Sequence, residues 1–135
     1  MTPAALRKLG ALMAARKARD LARLERLVAE DRALAAELAA LASAGAADVA
    51  SGEALPPDRQ AVRLAWIDQR TAMLARRRGI LAAEIAGARA AAIQSLGRER
   101  ALDRLAEIAG RAEATRHAAR EEREAPPADG ACGVA

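Results

Sequence analysis

Leucines recur in the first third of the chain at alternating intervals of three and four. Leu24, Leu27, Leu34, Leu38 and Leu41 hold this spacing, with Asp31 as one charged member of the same line. That alternation marks a helix burying a narrow seam against another helix. Leu6, Leu9 and Met13 begin a similar line that runs into Arg16, Lys17 and Asp20, which predicts a stutter or a solvated stretch before Leu21 and Leu24 resume the seam. Thr2 followed by Pro3 is a helix start, because a hydroxyl at the cap accepts an orphan amide and proline presets the first helical φ. The pattern predicts a first helix over residues 3–43.

Residues 44–57 contain Gly45, Gly52 and the pair Pro56-Pro57, and read as a linker. A second helix follows over 58–124. It shows apolar doublets every seven residues, Trp66/Ile67, Met73/Leu74 and Ile80/Leu81, and then Ile85, Ala88 and Ala92. Pro126 and Pro127 stop it, and residues 125–135 are expected to be a disordered tail. Sevenfold recurrence over so many turns requires a partner helix, and the simplest partner is the first helix folded back. The predicted fold is all-α: a single antiparallel coiled-coil hairpin, residues 1–124, with a longer second helix. About forty residues rise roughly 60 Å and about sixty-seven roughly 100 Å. A symmetric turn then sets Asp31 near Arg70 and leaves residues 99–124 without a partner in the hairpin. Gly10, Gly79, Gly87, Gly97 and Gly110 fall inside predicted helix, either as points of close approach or drift, or with Gly97 as a flexible joint.

Composition narrows the class further. Of 135 residues, 53% are apolar, but 41 of those are alanine, and the chain has one Trp, no Phe and no Tyr. Methyl-sized side chains bury little area, so a sandwich or a doubly wound α/β domain is excluded, whereas alanine, leucine, arginine and glutamate all favour helix. The net charge of +4 rests mainly on arginine and by itself does not single out a nucleic-acid partner. A third reading, an interfacial amphipathic helix or nucleic-acid compactor, rests on that surplus alone. Cys132 is the only cysteine, so no intramolecular disulfide is available. Charged residues interrupt the apolar runs outside the alanine-rich linker, and the expectation is a chain without membrane insertion or a signal-peptide core.

Little in the sequence suggests catalysis. A two-helix hairpin lacks the concave site in which catalytic groups converge, and neither a cofactor nor a small-molecule substrate is expected. His117, the sole histidine, has Glu113, Arg120 and Glu121 at helical spacing but no second imidazole or thiolate for a metal. Arg76-Arg77-Arg78 points in three successive helical directions, so one of the three lies near the seam and the run is either a solvated face or a contact for an acidic protein. Trp66 packs the bend, anchors an interface, or does both.

The layout resembles the FliJ-like proteins of the flagellar export apparatus and the related YscO-type proteins of type III secretion. The resemblance spans nearly the whole chain: a shorter first helix, a polar linker, a longer second helix opening with Trp66-Ile67, and the segment Leu102-Asp103-Arg104-Leu105-Ala106-Glu107-Ile108. It implies a non-enzymatic stalk or adaptor in protein transport for motility, cytoplasmic and peripheral at the inner membrane through the export apparatus. Its expected partners are the export ATPase ring and the export-gate membrane protein. On matching positions, Trp66 and Ile67 facing Leu38 and Leu41 form the gate-contacting patch, and Arg7, Lys8, Arg104 and Arg111 meet the ATPase. The family often places further aromatics around the hairpin, where this chain has Gln-Arg-Thr-Ala-Met-Leu at 69–74. The competing expectation is a generic coiled-coil scaffold or secretion chaperone that sequesters a partner helix.

Overall fold

The computed structural model describes residues 2–51 and 56–126. The chain is all-α, two helices packed against each other: α1 spans Pro3–Ser51 and α2 spans Pro57–Glu124. Thr2 caps α1, its Oγ1 accepting from the Ala5 amide at 3.1 Å while its carbonyl accepts from Leu6 at 3.0 Å. Pro57 occupies the first position of α2, Asp58 lies in the first turn, and the Pro56 carbonyl accepts from the Gln60 amide at 3.0 Å. The acidic side chain complements the orphan amides there. The predicted tail falls almost wholly outside the described residues, as do positions 52–55 of the predicted linker.

The first helix does not stop at Ser43. It continues to Ser51, because Ala44, Ala46, Ala47 and Ala50 are strong helix formers that outweigh the single Gly45, and because Asp48 finds Arg63 across the pair. The longer α1 moves the centre of the connection and with it the register. Asp31 does not meet Arg70. It binds Arg78, accepting at 2.9 Å from Nε and 3.2 Å from Nη2, while Arg70 binds Glu37. With α1 ending at Ser51 and α2 starting at Pro57, a symmetric turn moves the pairing by about seven residues, in line with the partners found for Glu37, Glu30 and Asp31.

The packing divides into two compact units. In the larger, residues 16–95, Arg63, Arg70, Arg77 and Arg78 of α2 reach Asp48, Glu37, Glu30 and Asp31 of α1, an order that fixes the helices as antiparallel. The core there is a line on α2, Ile67, Leu74, Leu81 and Ala88 at seven-residue spacing, joined by Ala92. Each doublet thus resolves: its second member is buried and its first, Trp66, Met73 or Ile80, is exposed. Ser95 is buried and donates its hydroxyl hydrogen to the Asp20 carboxylate, so a charged position that disturbs the leucine seam is satisfied by the one polar residue in the core line. Along α1 the half-buried side chains run Leu6, Leu9, Met13, Lys17 and Asp20, with the half-buried Gly10 beside Leu9. The spacing of three, four, four and three contains the expected stutter.

In the smaller unit, Leu102 of α2 is buried and its Cδ2 would lie 3.7 Å from a β-carbon added at Gly10. Close approach therefore has a basis at Gly10, whereas nothing lies within 4 Å at Gly79, Gly87, Gly97 or Gly110. The pairing consequently extends past residue 99, correcting the expectation that 99–124 stands alone. Exposure is nearly continuous from Asp103 onward, with Ala109 and Ala119 the two half-buried positions through Glu124.

Candidate interaction surface

The charged side chains on one edge of α2 are placed by a heptad of their own. Arg63, Arg70 and Arg77 recur every seven residues, so they follow the seam and stand beside the acids of α1. Arg70 gives Glu37 Oε1 two hydrogen bonds, 2.9 Å from Nε and 2.7 Å from Nη2. Arg77 binds Glu30 Oε1 at 3.1 and 2.9 Å and stands 4.0 Å from Glu84. All these groups are substantially solvated, so each pair contributes modestly and the row acts mainly as a register device. Of the arginine run, Arg77 and Arg78 are thus committed to the hairpin. Arg76 is exposed and makes no hydrogen bond or ion pair among the described residues.

The hydrogen bond from Arg78 holds the Asp31 carboxyl below its ordinary value of 3.8, against partial desolvation that raises it and with the Arg78 charge lowering it further. Arg77 and Arg78 are correspondingly raised by their bonds to Glu30 and Asp31. A carboxyl depressed by folding adds stability that is complete above its unfolded titration range and is lost as pH falls through and below it. Thermal melts should therefore show an acid-sensitive contribution from this pair below about pH 4, screened by salt. Asp31→Asn should flatten that acid limb and leave the slope between pH 5 and 7 unchanged; an equal acid limb in the variant would reject the assignment.

The residues singled out in the sequence do not converge on one site. Trp66 is 58% exposed and lines a shallow hollow with Glu37, Gln69, Arg70 and Met73. Ile67 is buried, part of the hairpin core and not of a presented patch. Leu38 and Leu41 are half-buried on α1, in the stretch bracketed by the Glu37–Arg70 and Asp48–Arg63 pairs. In the smaller unit Arg7, Lys8, Arg104 and Arg111 are all exposed. Arg7 also borders a groove of about 610 Å³ with Leu6, Gly10, Leu102, Ala106 and Glu113 among its walls. Sequence reading missed this groove and the Arg63–Arg70–Arg77 row, although the sevenfold arginine spacing was a visible signal for the latter.

Among the described residues no group of three or more His, Cys, Asp or Glu is placed to hold a metal. His117 Nδ1 lies 3.3 Å from Glu121, one turn away and equally solvated; Cys132 lies outside the described residues. Against the expectation of no membrane insertion stands one feature of composition: α1 contains an 18-residue window of mean hydropathy 1.4 with at most two charged residues. By length and composition it could cross a membrane. The value comes from stacked alanines, and α1 answers in the same stretch with Glu37 and Asp48, both paired to α2. No family model, no curated protein and no solved structure matches the chain.

Proposed function

We propose that this protein is a non-enzymatic coiled-coil stalk or adaptor of a type III export apparatus of the flagellar kind, linking an export ATPase to an export gate. The observation that carries the reading is the inequality of the helices. α2 has 68 residues against 49 in α1, and the solvated stretch at 111–124 follows a segment in which α1 still packs on Leu102. A helix that continues beyond its partner has backbone bonds satisfied internally and side chains available to a surrounding surface. The sequence resemblance to FliJ-like proteins supplies the identity of the partners. On this reading Arg7, Lys8, Arg104 and Arg111 face the ATPase, and Trp66 beside Leu38 and Leu41 faces the gate, with Ile67 supporting Trp66 from the core.

The test is a binding titration of the full chain against the export ATPase hexamer at two salt concentrations. Charge reversal at Arg104 and Arg111 together should weaken binding at least about tenfold at low salt, and the parent's own affinity should fall as salt rises. Unchanged binding by the double variant at low salt removes the assigned contact. A chain that ignores the ATPase and instead binds isolated helical segments of exported subunits would identify a chaperone that sequesters a partner helix.

A further inference from the structure

The two-helix pair leaves the outer face of α2 unexplained. Val62, Trp66, Met73 and Ile80 are 70%, 58%, 55% and 50% exposed, and with Gln69 and Arg76 they alternate at four and three residues from 62 to 80. This is a second heptad line on the same helix, displaced around its circumference from the buried line Ile67, Leu74 and Leu81. Small residues flank it: Ala65, Ala72, Ala83 and Ala86, and Gly79, at which an added β-carbon would meet nothing within 4 Å. A helix that is apolar on two faces is built to be covered on both.

We infer that this face is covered by a second copy of the chain, packed antiparallel through α2 about a two-fold axis level with Thr71. The pattern is self-complementary in that register. Val62 of each copy stands opposite Ile80 of the other, and Gln69 stands opposite Met73. Trp66 stands opposite Arg76, an exposed arginine that makes no ion pair among the described residues. The guanidinium then lies on the indole face, and Ala72 and Gly79, adjacent to Arg76 on the helix surface, leave room for the ring. Charge selects this alignment over its neighbour. Sliding by one layer sets Met73 against Arg76 and brings the two Arg76 residues within roughly 5 Å along the axis, whereas the chosen register holds them roughly 15 Å apart. The isologous geometry closes on itself and stops at two copies.

The apolar stripe is about 27 Å long, at the small end of specific interfaces, so the dimer should dissociate in the micromolar range. The inference does not depend on the export role, but a second copy on Trp66 excludes any other partner from that residue at the same time.

Sedimentation equilibrium on the full chain from about 1 to about 300 μM should show a monomer–dimer equilibrium, with the emission of the single Trp moving to the blue as the dimer fills. Trp66→Ala should weaken the dimer at least about tenfold and Arg76→Glu several-fold. Both positions are solvent-exposed in the monomer, so their helix signal and melting at low concentration should match the parent. A monomer throughout this range overturns the proposal. So does a dimer indifferent to both substitutions, or one broken instead by Leu105→Ala or Ile108→Ala in the smaller unit.

Discussion

Leu81→Ala should abolish cooperative folding of the larger unit. Leu81 is fully buried, the largest such side chain among the described residues, and removing a buried leucine costs about 2–5 kcal/mol, the upper part of that range applying where neighbours cannot collapse into the space. On one side that applies here: the core positions that follow on α2 are Ala88 and Ala92, whose methyls have no rotamers with which to fill a void, so only Leu74 on the other side can lean in along the line. A two-helix pair with an alanine-rich seam has little stability to spare. The expected result is a melt by far-ultraviolet circular dichroism that starts lower and loses its sharp transition. Ile80→Ala is the matched control. It removes a similar volume one residue away from a position that is half exposed and should change the melt by less than about 1 kcal/mol at low protein concentration. Equal losses in both variants would mean that the seam does not run through Leu81.

The contrast between Leu81 and Ile80 also marks how far the sequence can be read. Sevenfold recurrence identified the doublets and hence the class of fold, because any helix carrying such a stripe must bury it. Which member of each doublet turns inward is a matter of phase, and phase follows from register. The register in turn hinged on how far α1 continues, which local signals misplaced: Gly45 resembles a terminator, but four alanines and the Asp48–Arg63 pair carry the helix past it. The same shift determines that Asp31 belongs to Arg78 and that Leu102 is covered. Surface residues fared differently. Trp66 was conspicuous as the single aromatic, whereas Met73 and Ile80 acquire meaning only once the core line is known to lie one residue further on. The three arginines and one lysine assigned to the ATPase end are all solvated, which any charged residue on a two-helix pair would be.

The glycines offer the largest change in the opposite direction. Gly45, Gly87, Gly97 and Gly110 lie inside continuous helix, and a β-carbon added at any of them would meet nothing within 4 Å. Alanine at each restricts the unfolded chain and shields the helical backbone, a gain of about 1 kcal/mol per site with no steric cost. The sites are well separated, so their effects should add, and the quadruple variant should gain on the order of 3–4 kcal/mol and melt on the order of 10 °C higher. Gly10→Ala belongs to a different case, because its new methyl would rest against Leu102 at 3.7 Å, an ordinary contact that adds burial to propensity. The quadruple variant also separates two roles for Gly97. If its glycine matters only as a missing methyl, the stabilised protein binds its partner as the parent does. If it serves as a joint, Gly97→Ala alone must reduce binding while raising the melting temperature, and reverting that one site in the quadruple variant must restore binding. A quadruple variant no more stable than the parent would show that these segments are already frayed in the native chain, and that the continuous α2 does not persist in solution.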